Sequence, residues 1–242
     1  MAVLHRSLLI RMKKIFLLML MQMVMLTTGW SQQADVQQKN PRKLPLCSKE
    51  QSTKSGELHR LKQWHNCWGK YKLTSNSKYK SGIYEGEFSN GKFDGFGSYH
   101  FREESRGDWY IGSFREGRIE GRGTYYFSNG DKYTGNFLNG KKSGYGILNF
   151  NNSGQYAGEW LSDQFHGQGK LTFPLGEVYD GNFAYGLRNG EGVMFFLDGS
   201  SFSGKFISDE RYGEGVEISN DGTRVEGYWL KNKRDEKVEL KN

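Results

Sequence analysis

A 23-residue pattern repeated from Tyr84 towards the C-terminus limits what this chain can fold into. Full copies start at Tyr84, Tyr110, Tyr133, Tyr156, Tyr179 and Phe202 and open YEGEF, YIGSF, YTGNF, YAGEW, YDGNF and FSGKF; an incomplete seventh reads VEGYW from Val225. The spacings are 26 and then 23 five times, so only the first interval departs. A unit this short cannot bury its own apolar face, and tandem copies stack their faces into one continuous core.

The residue types inside a unit point to strands. Side chains alternate faces along a strand, so Tyr84, Gly86 and Phe88 share one side while Glu85 and Glu87 take the other. A second cluster follows in each unit: GFG from Gly95, then GRG, GYG, GQG and two copies of GEG, the last from Gly213. Simple alternation puts Gly95, Gly97, Tyr99 and Phe101 on the aromatic side, where glycine lets a ring lie flat on backbone. Within units, Gly91, Gly117, Gly140 and Gly186 mark turns, replaced elsewhere by Asp163, Asp209 and Asn232, which tolerate a left-handed backbone best after glycine. Between units, Asn129-Gly130, Asp198-Gly199 and Asp221-Gly222 predict two-residue hairpin turns, with Ser153-Gly154 and Leu175-Gly176 as weaker equivalents.

These residues resemble the MORN (membrane occupation and recognition nexus) repeat, YxGxxxxGxxxGxG. Tyr133, Gly135, Gly140, Gly144 and Gly146 match it position by position, as do Tyr179, Gly181, Gly186, Gly190 and Gly192. The resemblance implies an all-β protein, an elongated single-layer antiparallel meander of six to seven 23-residue repeats, and an exported bacterial type of member. It does not imply a single function.

Composition agrees with a repeat array rather than a globule: 29 of the 33 glycines lie from residue 84 onward. Ahead of the array, residues 1–31 read as a secretory signal peptide with its natural start at Met12. Lys13 and Lys14 precede an apolar run, and Gly29-Trp30-Ser31 precedes the cleavage point. An uncleaved anchor and a buried helix are the alternatives. Residues 32–63 form a polar leader, and with the next segment to residue 83 they carry eleven Lys or Arg against three Asp or Glu. Residues 84–242 carry nineteen against twenty-four, so the array is acidic although the whole chain is +7. Nucleic acid is therefore not an expected partner. Any attraction to an anionic membrane surface belongs to the leader, around Lys39, Arg42, Lys43, Lys49 and Lys54.

Residues 64–83 read as a degenerate first unit, with Cys67 and Gly69 in the places of Gly95 and Gly97. Cys47 and Cys67 are the only cysteines, and export would permit a bridge between them. Free thiols, an intermolecular bridge or a metal role are the alternatives, although two cysteines without a clustered histidine pair are too few for structural zinc. In the sixth copy, GEGVEIS puts Glu217 and Ser219 at inward positions, which predicts a register slip or an inverted face. Residues 225–242 then make a partial repeat and charged C-terminal cap.

No nucleophile, base or ligand cluster stands out, and the GxG pairs open strands rather than helices, so no enzyme activity and no cofactor are expected. The expected role is a non-catalytic scaffold or protein-binding module of the cell envelope, periplasmic or secreted. The alternatives are peripheral attachment to membrane lipid or surface polysaccharide, or an accessory subunit of an envelope enzyme. A one-layer sheet leaves one apolar face uncovered. Tyr133, Phe137, Phe150, Tyr156, Trp160, Phe173, Tyr179 and Phe183 are accordingly the candidate groove for another protein or a second copy. Packing of the rings on one another is the competing reading.

Overall fold

Glycine at fixed places decides how the chain turns, and the computed structural model shows the outcome for residues 42–47, 64–73, 81–102 and 107–236. Fifteen strands form one antiparallel sheet in strict sequence order. They are β1 (Cys67–Leu73), β2 (Gly82–Ser89), β3 (Lys92–Phe101), β4 (Trp109–Arg115), β5 (Arg118–Tyr126), β6 (Lys132–Leu138), β7 (Lys141–Asn149) and β8 (Gln155–Leu161). β9 (Gln164–Thr172), β10 (Val178–Ala184), β11 (Leu187–Phe195), β12 (Ser201–Ile207), β13 (Glu210–Ile218), β14 (Arg224–Leu230) and β15 (Lys233–Asp235) complete it. The all-β meander is the architecture that the repeat predicts. The signal-peptide segment lies outside the described residues.

The two kinds of turn exchange the roles expected of them. Inside each unit the connection is a two-residue turn with both residues left-handed, as at Asn139 (φ 51°) and Gly140 (φ 79°). Asp163, Asp209 and Asn232 hold the second position at φ 73°, 70° and 67°. Between units the loop is longer. Gly130 N–H donates to Phe127 O (3.0 Å) and Phe127 N–H to Asp131 O (3.0 Å), so Asn129 stays right-handed and only Gly130 is left-handed. The same loop recurs at Gly176, Gly199 and Gly222, and at Ser153, not Gly154, in the third unit. A tight turn followed by one left-handed residue suits a three-residue hairpin loop. The three extra residues of the first interval fall in the β3–β4 connection.

Each unit also carries a bulge. Gly86 pairs Gly97 and Phe88 pairs Phe93, so Glu87 alone faces three residues of β3. This corrects the simple alternation: Gly95 is left-handed (φ +102°), and a Cβ there would point at the Glu87 side chain, away from the aromatic face. Gly97 stays on the aromatic side, where a Cβ would lie 2.5 Å from the Tyr84 hydroxyl. Glycine faces glycine across the sheet from Gly69–Gly86 to Gly215–Gly227, a floor on which the tyrosine rings lie.

The array ends differ. β1 meets β2 in the register β3 has with β4, with Gly69 opposite Gly86 and Tyr71 opposite Tyr84. Leu46 forms a parallel bridge to Trp68, Cys47 N–H donates to Trp68 O (2.9 Å), and Cys47 is joined to Cys67. In the sixth unit the register does not slip. Phe202 pairs Glu217 as Tyr179 pairs Met194, and Glu217 keeps the inward place because Arg211 Nη1 reaches its carboxylate at 2.9 Å.

Candidate interaction surfaces

The opening aromatic of each unit sits on the glycine floor, and where it is a tyrosine its hydroxyl donates to a carbonyl three residues on: Tyr84 to Glu87 (2.8 Å), Tyr133 to Asn136 (3.0 Å), Tyr156 to Glu159 (2.8 Å). Edge-to-face contacts then link the units without a break. Tyr133 meets Phe137 and Trp160 (5.0 and 5.1 Å), and Tyr156 meets Trp160 and Phe183 (both 5.2 Å). Tyr179 meets Phe183 and Phe206, and the series closes with Phe202 on Trp229 (5.0 Å). At the other end Trp64 packs on Phe88 (4.7 Å).

This ladder is the core. Tyr133, Phe137, Tyr156, Trp160, Tyr179 and Phe183 are buried, and only Phe150 and Phe173 of the eight candidate groove residues remain half-buried. The expectation of an open aromatic groove is thereby corrected. Rings meeting at right angles across neighbouring units cover one another, so a single layer closes its apolar side without a second sheet. Burial raises the pKa of these phenols, with Tyr179 pushed up to about 12 by desolvation, partly offset by Arg188.

Sequence reasoning missed the residues that lock one unit to the next. The second residue of each returning strand lies over the unit's opening ring. Phe93 stacks on Tyr84 (3.9 Å) and Phe165 on Tyr156 (3.7 Å), but Lys142, Arg188 and Arg211 fill the same place elsewhere. Lys142 Nζ lies 5.0 Å from the Trp160 ring centre and 3.5 Å from Asp163. Arg188 lies over Tyr179 (5.7 Å) and binds Asp209 (3.0 Å); Arg211 lies over Phe202 (5.1 Å) and donates to Asn232 O (2.9 Å). A signal was present: Asp or Asn replaces the turn glycine 21 residues after a cation and nowhere else in the array.

Two features face solvent on the other side. His100 stacks with Trp109 (5.6 Å), Trp109 with Tyr126 (4.0 Å), and Lys132 lies over Tyr126 (5.2 Å). Desolvation, then the charge of Lys70, lowers the His100 pKa. Beside the two-residue turns of the last five hairpins, Leu138, Leu161, Leu187, Ile207 and Leu230 are exposed, with Tyr185 exposed in the same turn as Leu187. Of the basic leader, Arg42 reaches the buried Glu87 (3.3 Å) and Lys43 is exposed, while Lys39, Lys49 and Lys54 lie outside the described residues. No group of three metal-binding side chains occurs among the described residues.

These features define a β-hairpin repeat array whose aromatic side is its own core. The MORN repeat profile matches residues 84–106, 110–132, 133–155, 156–176, 179–201 and 202–224, more than half of the chain, and the chain belongs to the MORN repeat family. It is a protein-binding scaffold in the general sense of that family. No curated protein matches it. Among solved structures it is similar to the SAS-4 (dCPAP) TCP domain of Drosophila melanogaster, in complex with a proline-rich motif of Ana2 (dSTIL). That match has 14% identity and a TM-score of 0.38, and covers 62% of this chain and 79% of that one. It is also similar to the TCP10 domain of Danio rerio CPAP in complex with a STIL peptide, at 18% identity and a TM-score of 0.29, covering 61% and 74%.

Proposed function

We propose that the chain is an exported scaffold of the bacterial cell envelope that holds a partner protein along the outer side of its hairpins. The observation that carries this reading is the division of apolar residues. The inner rings are used up in the array's own core, whereas an aliphatic side chain stays exposed at each of the last five hairpins. Single exposed apolar residues are ordinary, but repetition at one place in successive hairpins makes a line, and a continuous apolar surface is the kind that marks interaction sites. The Cys47–Cys67 bridge supports an oxidising compartment, as does the signal-like character of residues 1–31. A pull-down from envelope extract with wild-type protein and with a folded Leu138→Ser, Leu161→Ser, Ile207→Ser variant tests the reading. Loss of the recovered partner in the variant is expected, and equal recovery sinks the outer-side assignment.

A second reading has its own observation. Lys141, Lys231 and Lys233 are exposed beside those aliphatic residues, a pairing that favours an anionic lipid surface. Co-sedimentation with anionic and neutral vesicles separates it from protein binding.

A further inference from the structure

Leu138, Leu161, Ile207 and Leu230 each end the first strand of a hairpin, next to an inward, buried ring or tryptophan, so each points outward. In the remaining unit Ala184 takes that place, and its cross-turn partner Leu187 supplies the apolar group. All five are between 38% and 54% exposed. The first two hairpins carry Ser89 opposite Lys92 and Arg115 opposite Arg118 instead, so the apolar line begins at the third. Across residues 138–142, 161–165, 184–188, 207–211 and 230–234, seven Lys or Arg stand against three Asp or Glu. Asp163 and Asp209 are bound by Lys142 and Arg188, Glu210 stands opposite Ile207, and Lys141, Lys231 and Lys233 face solvent, so the margin keeps a positive balance.

The pitch of the line selects its occupant. Successive apolar groups lie two strands apart, about 9.6 Å at 4.8 Å per strand. Three residues of polyproline II chain make one full turn, rise about 9.3 Å and bring the fourth side chain back to the same face, a mismatch of about 0.3 Å per hairpin. Two turns of α-helix rise about 10.5 Å over seven residues, and the error grows to nearly 4 Å by the fifth hairpin. Twist points the same way. Neighbouring strands rotate by about 20°, so the line turns about 40° from one hairpin to the next. A straight helix or a flat lipid surface touches two or three of the five groups, whereas an extended chain follows all of them.

We infer that this margin binds an acidic polypeptide extended in the polyproline II conformation, with an apolar side chain at every third residue. The inference rests on the protein-binding scaffold reading and gives that role a ligand chemistry. Its carboxylates would face Lys141, Lys231 and Lys233, and its apolar groups would cover Leu138, Leu161, Leu187, Ile207 and Leu230.

Fluorescence anisotropy with the full-length protein tests it. The probe is a labelled peptide of five Leu-Asp-Ser repeats, and the control has the same residues with its leucines moved to alternate positions. The repeat peptide is expected to bind about tenfold or more tighter than the control, a difference of about 1.4 kcal/mol. Leu161→Ser with Ile207→Ser should remove that preference while circular dichroism and melting stay as in the wild type, and Lys141→Glu with Lys233→Glu should weaken binding and its salt dependence. Equal affinity for both peptides, or none for either, overturns the inference. So does unchanged affinity in the folded variant. Anionic-vesicle binding, or a concentration-dependent dimer, that vanishes in the same variant while the peptide fails to bind assigns the margin to lipid or to a second copy. Retention of an envelope partner by the folded variant overturns this ligand site together with the outer-side assignment, and leaves only the scaffold role itself standing.

Discussion

The junction over Tyr133 and the junction over Tyr156 solve one packing problem with opposite chemistry. Over Tyr156 the returning strand lays Phe165 flat on the ring, and the turn of the following unit has Gly186, whose N–H donates to Phe165 O at 2.9 Å. Over Tyr133 the same place holds Lys142, and the following turn has Asp163. Its N–H donates to Lys142 O (3.0 Å), and its carboxylate also accepts from Lys142 N–H (2.9 Å). The backbone link is the same in both; only the filler differs. Phe93 with Gly117 and Ile119 with Gly140 follow the apolar form, while Arg188 with Asp209 and Arg211 with Asn232 follow the polar one. A cation over an aromatic face replaces a stacked ring, and the acid or amide in the turn compensates for its partial burial. The repeat therefore tolerates a large change at one position only when a second, 21 residues on, changes with it.

The largest expected effect lies where the two junctions are alike. Gly135 and Gly158 both border their unit's opening ring and the facing glycine, and Gly158→Val would set a Cβ 2.5 Å from Gly169 Cα. Either change to valine should cost about 3 kcal/mol through overpacking. The outward Thr134→Val should change the melting temperature little, and similar losses at Thr134 and Gly135 would show that the two faces are not distinguished as described.

Opening the Cys47–Cys67 bridge should come next, at about 3 kcal/mol for a loop of this length. Hydrogen exchange should quicken at β1 and leave both junctions unchanged, because the bridge pins only the first edge. Quickening in β7 or β9 would show that the end and the interior are coupled.

The pairing itself is tested by a double-mutant cycle at the Tyr133 junction. Asp163→Gly alone should cost about 1–2 kcal/mol by leaving the mostly buried Lys142 without its acid. Adding Lys142→Phe recreates the Phe165 and Gly186 arrangement and should recover most of the loss. Additive losses in denaturant melts would show that the two positions vary independently.

The smallest expected effect is in alkaline stability. Tyr179 keeps its proton to about 12 in the folded chain, whereas in the unfolded chain it ionises near its ordinary 10. Above pH 10 the unfolded state holds fewer protons than the folded one, so the tyrosine contribution is complete below pH 10 and is lost as pH rises towards 12. Tyr179→Phe should flatten the fall in melting temperature across that window, and an unchanged slope would remove burial of this phenol as its cause.

Legibility in the sequence followed the range of the physics. The Tyr133 and Tyr179 motifs announce strands and turns because face alternation and left-handed backbone are properties of neighbours in the chain. At Gly95 that local logic failed: the bulge opposite Glu87 turns the glycine to the outer side, and only the strand pairing shows it. Glu217 likewise looked like a register fault until Arg211 supplied its partner.

The sequence by itself determined the unit, its period, the all-β class and the places where only glycine or a residue tolerant of a left-handed backbone fits. Tertiary structure decided which surfaces are spent. Whether Trp160 is an exposed anchor or a core residue depends on Tyr133 and Tyr156, each 23 residues from the next and brought together only when the sheet forms. Burial is a property of such neighbours across strands, so the rings proved to be core, and the exposed apolar groups lie at the turn margin and, with Leu175 and Leu197, at the loops opposite.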